Sequence, residues 1–341
     1  KILLIDVTKT TFLRNKHKRH NKKSTVMKQK TLSLLIIIAT LPLSVHSTTV
    51  QAAPCTGDQP ATFSHVSSSM GKHNKHTFDL KNFYGIDNSV NAEIHYTQAD
   101  HYGVTMTADR DEAKSIIMKV SNGMLVIEKK ANRTNANNSY DDTNIVIDIT
   151  SPRLTAISNT SSLTFSSDSL TTDKFYIDNN GTLQLSPGLV KCVHAKISNQ
   201  GMLNTDGQIL ASSASIVNSG VSTLGTRFSV DGDFIMANNG HMTMGGKVTA
   251  YSVDMDNSGI TTYAVGINAD KLNLKVTGIE TGDMSYKGGD MNINCLGNLT
   301  LKLDADCGNL FSNTNGRLTI DIKGQVNQCA NYGAITRVRR L

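Results

Sequence analysis

Tryptophan is absent from this 341-residue chain, aromatic residues together make up 5% of it, and proline occurs five times. So few large side chains do not fill a big helical core, and the abundance of Asn, Ser, Thr and Gly favours short strands joined by tight turns. An apolar content of 38% with 26 Gly excludes both a disordered chain and a collagen-like one. Beyond residue 52 there is no Gly-x-Ser-x-Gly elbow, phosphate loop or dinucleotide fingerprint.

A basic binding surface is also missing once the charge is located. The formal charge is +6, but residues 1–30 hold ten Lys and Arg against Asp6 alone, and 31–52 hold no charged residue. Residues 53–341 are left with 24 basic and 27 acidic side chains, so nucleic acid is not an expected partner. The basic leader reads as an export signal over 27–52: Met27-Lys28-Gln29-Lys30, an apolar run from Leu32 to Leu43, and Val50-Gln51-Ala52 before a cut that makes Ala53 the first mature residue. The run is too short for a comfortable membrane span, so no span is expected in the mature chain. Residues 1–26 read as an extension upstream of the natural start, and 53–74 as a flexible mature N-terminus.

Five cysteines in an exported chain permit disulfides and leave one over. Pro54 directly before Cys55 argues against lipid attachment there. Cys307 and Cys329, 22 residues apart, are candidates for a bridge between neighbouring coils, whereas Cys192 lies some six coils from Cys307 and cannot reach it.

The second half repeats. Gly recurs at 181, 201, 220, 240, 259, 278, 297 and 316, in steps of 19 or 20. Four residues before these glycines stand Ile177, Ile197, Ile216, Met236, Met255, Leu274 and Ile293, then Ser312; six before stand Phe175, Ala195, Ala214, Phe234, Val253, Leu272 and Met291. Steps of two within the unit give strand periodicity with one buried face. Two before the glycine is a column of Asn179, Asn199, Asn218, Asn238 and Asn257, which yields to Val276, Cys295 and Thr314. Its parity places it inside, and stacked amides one rung apart can bond one another, so an asparagine ladder is expected. The glycine is expected to supply a positive φ at the turn. The fold class is therefore all-β: a parallel single-stranded β-helix of about 19–20 residues per coil over 159–335, with a less regular N-terminal β portion over 75–158.

In that first portion, strands are expected at 77–80, 92–96, 104–107, 124–127 and 145–149, a short helix at 109–115, and a polar loop at 132–142. Its segments run Phe83-Tyr84-Gly85-Ile86, then Asn122-Gly123-Met124-Leu125-Val126-Ile127, then Thr150-Ser151-Pro152-Arg153-Leu154-Thr155-Ala156-Ile157, ahead of the glycine-turn repeats. This succession, over roughly 75–335, resembles the autotransporter-adhesin "head GIN domain" family of bacterial exported proteins. The resemblance implies a β-helix akin to pectin-lyase-like superhelices without a catalytic set, and an adhesion role. The chain departs from it at Asn159-Thr160-Ser161-Ser162, where family members often show a glycine turn.

The candidates for chemistry are the carboxylate pairs Asp231/Asp233, Asp254/Asp256 and Asp304/Asp306, since a glycosidase needs two carboxylates flanking one bond and calcium needs several oxygens. Pairs at i, i+2 share one strand face, but near turns they are more often solvated rim. Asp304 to Asn309 only loosely echoes a calcium loop, and Gly288-Gly289-Asp290 is a single fragment of a calcium-binding repeat. Ser69-Met70-Gly71-Lys72 matches Ser-x-x-Lys without supporting motifs, and His65, His73, His76, His95 and His101 lack zinc spacing. No catalytic, cofactor-binding or metal residue is assigned, and no cofactor. The expected function is exported, non-enzymatic binding or adhesion at the cell surface or envelope, the alternatives being a carbohydrate-active enzyme on the same scaffold and a structural envelope rod. The expected partners are a host, glycan or envelope surface component, with self-association through a terminal coil.

Overall fold

The computed structural model describes residues 74–130, 145–333 and 336–340. The expected leader, the extension before it, Cys55, Ser69 to Lys72, His65, His73 and the 132–142 loop lie outside the described residues.

One turn shows the plan. Val221–Leu224, Arg227–Val230 and Asp233–Asn238 are three strands in succession, forming walls one, two and three of a coil. Along each, buried and outward residues alternate, as a pleated strand with one face on a core requires. Successive turns pair in parallel, each residue with one 19 or 20 positions on: Ile177 with Ile197, Ile197 with Ile216, Ile216 with Met236, and so on to Leu274 with Ile293. About ten such turns stack into a β-helix. The core is the pile of inward columns; Ile197, Ile216, Met236 and Phe234 are all at or below 1% exposure. Each such side chain withdrawn from water contributes about 1.5–3 kcal/mol before entropy is counted.

The repeat glycines serve a different purpose from the one expected. None of the eight has a positive φ. A Cβ on Gly220 would lie 2.0 Å from the carbonyl oxygen of Gly201, one on Gly240 would lie 2.1 Å from that of Gly220, and the same holds up the stack. Glycine is required because consecutive turns approach backbone to backbone at this corner, which leaves no room for a side chain. Positive φ is used elsewhere, at the two-residue Asn122-Gly123 hairpin (φ 52° and 76°), where a type I′ turn demands it.

The asparagine ladder is longer than the repeat predicts. Besides the five expected members it includes Asn159 and Asn88, and all seven are buried. Each Nδ2 donates to the next Oδ1, from Asn88 to Asn159 (3.0 Å) through Asn218 to Asn238 (2.8 Å) and Asn238 to Asn257 (2.8 Å). The same amide also donates to carbonyls at the corner, as Asn218 does to Gly220 and to His241 of the next turn. A buried amide is tolerable only when so satisfied. Register explains the departure at Asn159-Thr160-Ser161: Ser161 occupies the glycine position of the first stacked corner, and its hydroxyl donates to Asn91 Oδ1.

Asn88 is 71 residues before its rung neighbour because residues 99–155 are inserted between adjacent turns. Gly85–Asn88 and Ala92–Gln98 form the first rung on walls three and one, pairing forward with 156–159 and 163–167. The insertion supplies a further rung (Met124–Lys129 and Val146–Ser151) and then antiparallel strands, Ile116–Ser121 on one side and Gly103–Ala108 with Asn74–Phe78 on the other. Antiparallel closure ends the parallel stack and covers its edge. The expected strands are all present within a few residues; 85–88, 116–121 and 156–159 are additional. The helix is Arg110–Ser115, with Asp111 and Glu112 in its first turn and Lys114 in its last, as the dipole favours.

Candidate functional site

Inside such a coil the side chains are spent on packing, so chemistry directed at a ligand belongs to the outward columns, and the three walls differ. Wall one carries Thr223, Thr243, Thr262, Thr281, Thr300 and Thr319 one above another, beside an exposed apolar column containing Val221, Ile260 and Ile279. Around wall two the charges alternate: Asp283 and Lys302 pair at 3.8 Å, Asp321 and Arg339 at 2.6 Å, and Lys287 and Asp306 at 3.3 Å.

Wall three is concave toward its later turns. A groove of about 730 Å³ runs from Ile235 to Tyr332. One column along it is Ile235, Asp254, Asn273, Asn292 and Phe311; the next is Ala237, Asp256, Lys275, Asn294, Asn313 and Tyr332. The polar members bond along the axis. Asn273 Nδ2 donates to Asp254 Oδ1 (2.5 Å), Asn292 Nδ2 donates to Asn273 Oδ1 (3.1 Å), and Lys275 pairs with Asp256 (2.5 Å). Ile235 and Tyr332 are exposed at 49% and 66%, and Phe311 is half-buried.

The three carboxylate pairs are distributed over two walls and a corner. Asp254 and Asp256 face outward into the groove but are held by Asn273 and Lys275. Asp304 and Asp306 lie on another wall, where Lys323 stands in register with the first and Lys287 pairs with the second. Asp231 and Asp233 are exposed at the corner between walls two and three. Asp304 to Asn309 is continuous strand rather than a calcium loop, and Gly288 and Gly289 stack closely on the backbone of Ala269 and Asp270. His95 bonds Glu93 and His101 bonds Asp100, while His76 sits on the separate strand Asn74–Phe78. Among the described residues, no three of His, Cys, Asp and Glu are grouped to hold a metal ion.

The candidate bridge between Cys307 and Cys329 is not formed. Cys307 stands opposite Val326, and Cys329 opposite Leu310, three residues out of register, so both thiols are free. A coil of 19 is what aligns side chains; a spacing of 22 does not. Cys192 and Cys307 do share a column, six rungs apart, which keeps them out of reach.

One buried group escaped the sequence reading. Glu280 is fully buried in an otherwise apolar or hydroxyl column, between Thr261 and Leu299, at the end of the asparagine ladder. Tyr263 donates its hydroxyl to Oε1 at 3.0 Å, and Oε2 has no hydrogen-bond partner. Burial drives this carboxyl from 4.5 up to about 8, with contacts from Tyr263 and Asn257 pulling the other way and the charge of Asp256 adding to the rise. Its signal was readable: it is the one charged residue two places after a repeat glycine.

Residues 82–286 match the family described as "Putative auto-transporter adhesin, head GIN domain". The chain belongs to this family. The matched head GIN region takes in the whole asparagine ladder and ends among the turns that follow it. No curated protein matches the chain. Among solved structures it is similar to a "putative adhesin" from Parabacteroides merdae, at 15% identity over 80% of this chain and 97% of that one, with a TM-score of 0.43. A "putative adhesin" from Bacteroides fragilis is 16% identical over 79% and 97%, with a TM-score of 0.37. A "putative lipid binding protein" from Parabacteroides distasonis is 14% identical over 80% and 98%, with a TM-score of 0.36.

Proposed function

We propose that the protein is exported and acts without catalysis, attaching to a surface or envelope component through the outer walls of its β-helix. Membership of the head GIN family supports a surface adhesion or binding role. The observation that carries the reading at the level of residues is the wall-three groove, whose polar groups bond one another along the axis while Ile235, Phe311 and Tyr332 stay at the surface. Groups held in this way suit contact better than proton transfer, because a general acid or base needs a free site beside the bond it acts on.

The test has two arms. Fractionation with sequencing of the mature N-terminus is expected to find the protein outside the cytoplasm beginning at Ala53; a cytoplasmic, uncleaved chain contradicts export. Beads coated with residues 53–341 are expected to adhere to host-cell or bacterial-envelope preparations where uncoated beads do not. Turnover of a polysaccharide that Asp254→Ala or Asp304→Ala abolishes would replace binding with catalysis.

A further inference from the structure

We infer that the wall-three groove takes a neutral glycan chain lying parallel to the axis of the coil, an identification that rests on the binding role proposed above. Asn273 gives one N–H to Asp254 and one lone pair to Asn292, and Asn292 gives one N–H to Asn273. Asn273 therefore keeps one N–H and one lone pair for a ligand, and Asn292 one N–H and both lone pairs, so each presents a donor beside an acceptor. A sugar hydroxyl is likewise donor and acceptor at once. The presentations recur at the rung spacing of about 4.8 Å, close to the length of one unit of a β-linked sugar chain, so each of two successive units can set a hydroxyl against the ladder even where alternate units are turned over.

The ends of the groove supply the other half of sugar recognition. Phe311 and Tyr332 are diagonal neighbours on adjacent rungs at one end of the groove, where the apolar face of a pyranose ring can lie against either ring, and Ile235 stands at the opposite end. From Ile235 to the last rung is five steps, about 24 Å, room for about five units.

Other occupants fit less well. Lys275 is neutralised by Asp256, which leaves no basic track for nucleic acid or a sulfated polymer. The backbone groups of these strands are used between rungs, so a peptide cannot add as an extra strand on this wall. Burying the amide ladder in a lipid surface would strip its remaining donors and acceptors of water.

The experiment measures binding of residues 53–341 to a panel of neutral polymers (β-glucan, xylan, mannan and their oligosaccharides of two to eight units), with polygalacturonate and heparin as charged controls. Binding of at least one neutral polymer is expected, tightening with length up to about five units and then levelling. Phe311→Ala/Tyr332→Ala and Asn273→Ala/Asn292→Ala should each weaken it at least tenfold with unchanged circular dichroism, while Lys302→Ala/Asp304→Ala on the charged wall should leave it intact. Failure of every neutral polymer to bind, binding by the charged controls alone, or groove variants that bind like the parent would overturn the inference. Coated beads that adhere without binding any neutral polymer would sink the glycan assignment alone; beads that do neither would sink the binding role as well.

Discussion

Two stretches of the same coil differ in what fills one inward column. From Asn159 to Asn257 the column is amide bonded to amide; from Val276 to Thr314 it is Val276, Cys295 and Thr314. The corner is the same in both. Asn239 N–H donates to Asn218 at 2.7 Å in the first stretch, and Leu296 N–H donates to Val276 at 2.7 Å in the second. The glycines persist too: Cβ atoms on Gly240 and Gly297 would each lie 2.1 Å from the glycine oxygen below. Close backbone stacking is thus the condition for this coil, and the amide ladder is an additional device that fixes which turn sits on which. Cys295 preserves part of that device, its thiol reaching the carbonyls of Gly297 and Arg317, the counterparts of those an Asn amide reaches.

The largest expected effect separates the two stretches at their junction, where Glu280 sits. Its carboxyl keeps a proton in the folded chain to about pH 8, while in the unfolded chain it ionises near 4.5. Its contribution is therefore complete below pH 4.5 and is lost as the pH rises through 8, a fall of about 5 kcal/mol for a shift of this size. Denaturant melts of the parent from pH 4 to 9 should show that decline, and Glu280→Gln should remove it; superimposable pH profiles would refute a neutral Glu280.

Next in size come the corners. Gly259→Ala and Gly297→Ala should cost about 4 kcal/mol each or prevent folding, in equal measure, because both force a Cβ into a carbonyl oxygen. A mild effect at Gly297 alone would show that the corner stacks more loosely in the ladder-free stretch than in the ladder. Asn218→Ala follows: it breaks the ladder between Asn199 and Asn238 and removes the amide's bonds to the carbonyls of Gly220 and His241, at about 2–4 kcal/mol in a urea melt. Cys295→Ser is the smallest, within about 1 kcal/mol, since a hydroxyl can reach the same two carbonyls.

The sequence carried most of the coil because stacked turns repeat their inward side chains, and a column such as Ile197, Ile216 and Met236 is read directly from spacing. What escaped has physical causes. Asn88 and Asn159 are rung neighbours separated by a capping insertion, and no fixed period spans an insertion. The glycine's role was misassigned because a close approach and a positive φ both exclude side chains and look alike in one dimension. The groove was missed because its residues face outward, where only Asn273 and Asn292 of the column Ile235, Asp254, Asn273, Asn292 and Phe311 share a residue type. Only the register, once fixed by the inward columns, brings them into line.

Linking Thr243 to Thr262 through cysteines tests that register most directly. The two are outward neighbours on adjacent turns, whereas Thr243 and Thr281 stand two turns apart. With both positions changed to Cys and the product mapped by peptide mass spectrometry, the 243–262 pair should cross-link readily under mild oxidation and the 243–281 pair should not. A chain in which the second pair links as fast as the first, or the first fails to link, has a different winding, and the walls described above would not exist.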